Sequence, residues 1–363
     1  MAETRRIRQD RMTPIERINA LLAGQQIDRV PVWLWLVASA FAATNVGYTV
    51  AASYNDPEKS FWAQLWTMEM YGSDDIPRHT VGTCAGTWAF GGQIKWPTSE
   101  YEQAPSAIRY PVESEEDAQK FKLPSDVKTA GAIPIYMQFA KLQERFGLPI
   151  SVSVIPPIEG VRSICSVETL CRWLLKKPEL VHRLLRLATD YSLEVVRYWV
   201  DTFDPQHIIA FVSAPTASNQ IISPKHFETF VLPYQKELHE KILSTGIKHI
   251  FCHICGEQNL NLPYWAQVPM GNPGIVSFGH EVDLATAIRY FGDTCIIAGN
   301  IEPAIIQTGT HEQVYELCRQ AIEKAKYAPR GFLLIPGCGL PPAPPPYNVF
   351  MMKRAASDFG WYE

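Results

Sequence analysis

Charge is scarce in this sequence: 19% of its 363 residues are charged, and the formal net charge is −4. No surface is advertised for a polyanion, since a nucleic-acid interface normally needs a concentrated basic patch. The one basic run, Arg5, Arg6, Arg8 and Arg11, reads as a solvated N-terminal tail. Long apolar runs are also missing. Val30 to Ala43 is too short for a membrane-spanning helix, and the opening MAETRRIRQDRM lacks the apolar segment of a signal peptide. The expectation is a cytoplasmic protein with neither a nucleic-acid nor a membrane partner. No GxGxxG or Walker-type loop follows an early strand, which removes the usual cradle for a dinucleotide or a nucleoside triphosphate. The eight cysteines are irregularly spaced and do not form the framework of a small disulfide scaffold. In a reducing compartment they are packed thiols or metal ligands.

What is present is a large apolar fraction, 47%, enough for one extensive core. Thr13-Pro14-Ile15-Glu16 has the pattern of a capped helix start, and Gly24 suits its end, so residues 1–26 read as a helical extension packed on the main fold. VPVWLWLV, from Val30, is too apolar for a half-exposed strand and reads as a buried parallel one. Residues 37–130 show no clear period; one further strand near 72–83, long loops and short helices are expected there.

From about residue 150 the pattern becomes regular. Strand-like segments at 150–155, 207–213, 248–253, 275–278, 295–299 and 331–336 alternate with helical stretches, among them Val167 to Phe203, Ser223 to Ser244 and His311 to Lys326. That alternation predicts βαβ units and a parallel sheet. With the two earlier strands it predicts an α/β fold, a (β/α)8 barrel spanning 1–363 as one domain. An open doubly wound sheet is the alternative.

In such a barrel the active site lies at the carboxyl ends of the strands. His253 and Cys255 stand at one predicted strand end, and Cys338, between two glycines, follows another. Residues two apart on a strand share a face. One imidazole and two thiolates make the three-ligand pattern of a catalytic zinc with one open position; a purely structural zinc normally has four protein ligands. An HxC pair alone is a weak pattern, because free cysteine is commonly just packed. Cys252 should face the opposite way. Cys84, Cys165, Cys171, Cys295 and Cys318 have no partner at ligand spacing and are assigned to packing.

IDRVPV (27–32), Ala217-Ser218, IISPKHFETFVLPY (221–234), HICG (253–256), VSFGHEVDL (276–284), AGNIEP (298–303) and PGCGLPPAPPPYN (336–348) together resemble the uroporphyrinogen decarboxylase-like superfamily, and within it the corrinoid-dependent methyltransferase branch. The resemblance implies a (β/α)8 barrel and a zinc ion on His253, Cys255 and Cys338. It also implies methyl transfer between a separate corrinoid protein, the source of the methylcobalamin, and a small substrate. This chain has no DxHxxG corrinoid motif of its own. The substrate is expected to be a thiol acceptor or a methyl donor such as a methoxylated aromatic. The alternative is a metal-free decarboxylase. The arginine-bearing segment that meets the porphyrinogen carboxylates in decarboxylases has no counterpart, since no Arg or Lys lies between Arg29 and Lys59.

Four positions depart from the methyltransferase pattern. Gly279 and His280 stand where relatives often carry an acidic pair, Ala214 where many have Asp, and Glu257 where Asn is common. His280 and Glu281 are therefore the candidates for a catalytic or fourth-ligand role. Trp33, Trp35, Phe41, Trp88 and Phe90 are candidates for an aromatic mouth, against ordinary packing. The loops of 37–130 and the prolines at 341–346 would form the rim that receives the partner.

Overall fold

The computed structural model describes residues 7–35 and 40–362. Six parallel strands lie in chain order: β3 Ile150–Val154, β4 Ile208–Ser213, β5 His249–Ile254, β6 Gly274–Phe278, β7 Cys295–Ile301 and β8 Phe332–Pro336. All six predicted late strands are present. Before them β1 Gln93–Lys95 and β2 Ser106–Arg109 form a separate antiparallel hairpin that the irregular sequence did not indicate. Along the strands, side chains alternate between two apolar sets. Phe211, Phe251, Ile275, Ile296 and Leu333 pack with Trp33 and Trp35 in the interior. Ile250, Cys252, Val276, Ile297 and Leu334 belong to the large core shared with the helices.

Neither of the two earliest predicted strands forms: residues 30–35 make one isolated bridge, and residues 72–81 are irregular. Val32 makes one parallel bridge to Leu334 of β8, and Asp74 N–H donates to Val32 O at 2.7 Å. From there the path to β3 runs through side chains. Gln143 donates to Pro77 O at 2.6 Å and accepts from Ser151 N at 3.0 Å, while Ser153 Oγ donates to His79 O at 2.9 Å. Pro77 has no N–H to give a ladder. Between β8 and β3 the contacts run through irregular chain and side-chain hydrogen bonds rather than a strand ladder.

Carboxylates substitute for the missing ladder. Asp74 accepts from Arg29 Nη1 at 2.7 Å and Val32 N at 2.8 Å, and it pairs with Arg17 as well. Asp75 accepts from the backbone N–H groups of Leu34 and Trp35 at 2.8 and 3.0 Å. Both arginines are fully buried, and Asp28 and Asp10 complete their partners. Burial pushes the Asp28 carboxyl up, but Arg17 and the Arg11 and Met12 N–H groups outweigh it and hold the group well below its usual range.

The helix Pro14–Leu22 begins with the expected capping box: Glu16 N–H donates to Thr13 Oγ1 at 3.3 Å, and Thr13 N–H to Glu16 Oε2 at 2.8 Å. Its Ile18 and Leu21 join the interior cluster. Two expectations are corrected nearby. The stretch 167–203 is two helices, Val167–Lys176 and Pro178–Val200, because Pro178 cannot continue the preceding helix and starts its own. Of the basic run, Arg5 and Arg6 lie outside the described residues. Arg8 and Arg11 are not simply solvated, since their guanidinium carbons lie 4.0 and 5.6 Å from the Trp361 ring centre. Among the described residues no helix is long and apolar enough to cross a membrane.

Removing one member of a buried ion-pair network leaves its partners charged and desolvated, at a penalty of about 3–5 kcal/mol. Asp74→Asn should lower unfolding stability by about that amount, read as a shift in the urea midpoint. A shift no larger than that of an exposed control such as Glu58→Gln would show that the network is dispensable.

Candidate metal centre

β5 carries His253 on the interior face and Cys252 on the helix-facing side. The parallel register sets Ser277 of β6 directly beside His253, and their side chains meet, Nδ1 to Oγ, at 2.7 Å. In the tautomer that leaves Nε2 free to bind a metal, Nδ1–H donates to Ser277. Nε2 is then buried with no hydrogen-bond partner among the described residues. Cys255 follows on the same side, just past the strand, and Gly256 at φ 74° turns the chain away.

Cys338 arrives from the end of β8. Gly337 N–H donates to Ile301 O at 2.7 Å, and a Cβ on Gly337 would stand 2.9 Å from His280 N. Only glycine permits this approach of the two loops. Ligand atoms of His253, Cys255 and Cys338 lie within 4.8 Å of one another, so the three residues predicted from strand ends meet at one point. The orphaned imidazole nitrogen and two thiols are a soft, compact donor set that fits zinc with one position open. The two thiols are strongly coupled. The hydrogen bond between them pushes Cys255 up, with burial adding to the rise, while Cys255 and then His253 pull Cys338 well below an ordinary thiol.

The other two candidates lie beside this cluster rather than in it. Glu281 Oε2 is buried without a hydrogen-bond partner among the described residues. It stands 3.6 Å from His280 Nδ1, and His280 Nε2 is 4.0 Å from Glu302. His280 is largely exposed, and neither residue joins the mutually close donor atoms. The remaining cysteines are packed as expected: Cys84, Cys165, Cys252, Cys295 and Cys318 are buried, and Cys171 is half-buried.

A cavity of about 490 Å³ opens from His253 and Cys338 along a mainly apolar wall. Of the five aromatics nominated for the mouth, Trp35 lines it. Its ring centre is 4.7 Å from that of His253. Trp33 is inside the barrel, stacked on Phe251 at 5.5 Å. Phe41 and Phe90 are buried core, and Trp88 packs against Trp96.

Three residues of this cavity were not found from sequence. Glu159, in the first turn of the helix Pro157–Cys165, accepts from Thr216 N at 2.6 Å. It also faces Arg162 at 3.4 Å. Arg78 lies over Phe211 with its guanidinium carbon 4.3 Å from the ring centre, and burial brings its pKa down to about 9. The expectation of a mouth without cations therefore needs correction. The gap between Arg29 and Lys59 is real, but Arg78 and Arg162 reach the cavity from later segments. Ser277 could have been found from strand pairing; Arg78 had no motif to mark it.

Residues 13–359 match the family model described as Uroporphyrinogen decarboxylase (URO-D). The chain belongs to the uroporphyrinogen decarboxylase family. Within the family, it is 27% identical over 352 residues to a methylcobamide:CoM methyltransferase, MtbA, of Methanosarcina acetivorans, covering 96% of this chain and 98% of that protein. It is 24% identical to MtaA of Methanosarcina barkeri, a protein of the same description, covering 94% and 97%. A uroporphyrinogen decarboxylase of Trichodesmium erythraeum is 30% identical, but over 50% of this chain and 48% of its own length. The resemblance to the methyltransferase branch thus runs the length of the chain. A solved methyltransferase from Methanosarcina mazei superposes with a TM-score of 0.79 at 22% identity, covering 96% of this chain and 99% of that one, and shares the fold.

Partners that fix the tautomer and orientation of a metal-binding histidine typically contribute 10- to 100-fold in affinity. Ser277→Ala should weaken zinc binding by roughly that factor in a chelator competition titration. Unchanged affinity would remove Ser277 from the site.

Proposed function

We propose that this chain is a zinc-dependent methyltransferase that moves a methyl group between the corrinoid of a partner protein and a small substrate. The observation that carries the reading is the convergence of His253, Cys255 and Cys338 within 4.8 Å at the carboxyl ends of two strands. The full-length similarity to proteins named methylcobamide:CoM methyltransferases supports it.

Zinc held by these three residues would supply positive charge that favours the deprotonated, nucleophilic form of a substrate thiol. The donor set favours thiol acceptance over donor activation, because two thiolates make the metal a mild Lewis acid. A relative described as a methylated-thiol–coenzyme M methyltransferase of Methanosarcina mazei, 26% identical over 324 residues, agrees with sulfur as the reacting atom.

The chain's own residues then have separable tasks. Ser277 orients His253. Trp35 and the apolar wall keep water from the reacting atom. As the base that takes a thiol proton we propose a carboxylate, either Glu159, which lines the cavity and lies 3.4 Å from Arg162, or Glu281, whose buried Oε2 makes no hydrogen bond among the described residues. Gln103 Nε2 donates to Leu340 O at 2.7 Å and so ties the early loop to the proline loop. Gln103, Ala104, Pro341 and Pro342 stand together at the cavity, and we assign the partner's docking rim there.

The metal-free decarboxylase reading is weaker. A porphyrinogen with many carboxylates needs several cationic contacts, and of the cavity's two arginines Arg162 is already engaged by Glu159.

Elemental analysis should find about one zinc per chain in the wild type and none in Cys338→Ala. The same substitution should reduce methylcobalamin-dependent thiol methylation to the uncatalysed rate. A wild-type protein that takes up no zinc on reconstitution would return the chain to the metal-free reading.

A further inference from the structure

Arg78 is held in place before any ligand arrives. Its N–H donates to Gln64 Oε1 and its carbonyl accepts from Gln64 Nε2, both at 2.9 Å. Its guanidinium is stacked 4.3 Å from the Phe211 ring centre and 5.6 Å from that of Trp35. Stacking occupies the face of the group and leaves its edge, the N–H fork that matches a carboxylate, unused. Among the described residues the guanidinium makes no ion pair and no hydrogen bond, and the undescribed segment 36–39 contains no acid. The cavity's other arginine is different, because Arg162 is engaged by Glu159 and by Thr83 O. A stacked, half-buried cation without a counter-charge is unfavourable on its own. It becomes favourable when a ligand supplies the anion.

The position of that anion relative to the chemistry is set by Trp35. One indole stands 4.7 Å from the His253 ring, and the Arg78 guanidinium carbon is 5.6 Å from the same indole. The Arg78 guanidinium carbon and the His253 ring centre are therefore at most about 10 Å apart, a span that a substituted benzene ring can bridge. The walls between are apolar, with Ala89, Ile133, Val154 and Phe211 among them. The volume of about 490 Å³ is within the range of sites that enclose ring-sized ligands, and it is generous for a two- or three-atom thiol.

We infer that this cavity binds an aromatic acid, its carboxylate or sulfonate on the Arg78 fork and its reacting heteroatom facing His253 and Cys338. Which end reacts rests on the proposed methyltransferase activity; the pairing of acid with Arg78 does not. Specificity follows from the same geometry. A neutral analogue of equal shape fills the apolar walls but leaves the guanidinium uncompensated.

Isothermal titration calorimetry on the full chain tests this with matched pairs, 4-methoxybenzoate against 4-methoxybenzamide and 4-mercaptobenzoate against 4-mercaptobenzamide. The wild type should bind each acid roughly 10- to 100-fold more tightly than its amide, the range expected of a charge-assisted fork. Arg78→Met should abolish the preference while amide binding stays within about twofold, and Arg78→Lys should restore part of it. The methoxy pair should keep its preference in Cys338→Ser, so a failure of the metal reading and a failure of this one are distinguishable. Equal binding of acid and amide by the wild type would overturn the assignment whether or not the variants fold. So would no acid binding below about 10 mM, or a variant that weakens acid and amide alike.

Discussion

Two consecutive carboxylates, Asp74 and Asp75, hold the arc on which the rest of this barrel depends. Six strands form a regular parallel ladder, but between β8 and β3 the backbone supplies few hydrogen bonds of its own. Asp74 joins Arg17, Arg29 and the Val32 N–H at one point, and Asp75 collects the N–H groups of Leu34 and Trp35. Buried charges of this kind are costly to desolvate, so they contribute less to net stability than to the choice of one arrangement. Here that arrangement matters, because Trp35 has φ 55°, a left-handed backbone that a bulky residue seldom adopts. The Asp75 carboxylate holds it there, and the indole consequently faces His253. A charge network at the base of the first strand thus shapes the wall of the cavity.

The donor cluster depends on strand geometry more than on local sequence. Alternation along β5 separates His253 from Cys252, and the β5–β6 register brings Ser277 to the imidazole. Cys338 comes from the last strand, 83 positions after Cys255 by the numbering, and the glycine at 337 lets its loop pass against residues 279–280. The donors are thereby fixed by rigid elements on two sides, with a turn glycine beside each cysteine. Such a frame would offer a metal three donors held on rigid elements.

Much of this was legible in the sequence, for identifiable reasons. The six late strands are fully buried runs between helical periods, and the HxC pair and the Gly-Cys-Gly turn sit at their carboxyl ends, where topology alone brings them together. Propensity also read the first helix correctly, because its cap is local. What was missed is non-local. The segment 72–80 contains Asp-Asp-Ile-Pro-Arg, which has neither period nor turn pattern, and its conformation is set by side-chain partners 14 to 74 positions away. Arg78 and Glu159 enter the cavity from segments whose sequences announce only a loop and a helix start. The gap in cations between Arg29 and Lys59 was a correct observation about the first strand. It was a poor guide to the cavity, since its cations came from an irregular segment and a helix elsewhere in the chain.

The family's two chemistries can be related through this cavity. A decarboxylase acting on a polycarboxylate substrate needs several cations and can use the binding energy they provide. The present chain keeps the parallel sheet and its carboxyl-end mouth, but brings two thiols and an imidazole together there, and lines the approach with mainly apolar side chains. The consequence is a division of labour. Under the proposed activity, apolar surface and a stacked guanidinium would select and orient a ligand without touching its reacting atom, and the donor cluster would address that atom alone. Because the ladder hydrogen bonds and the Asp74–Asp75 contacts fix backbone positions, side chains at the strand ends can change the reaction while the fold is retained.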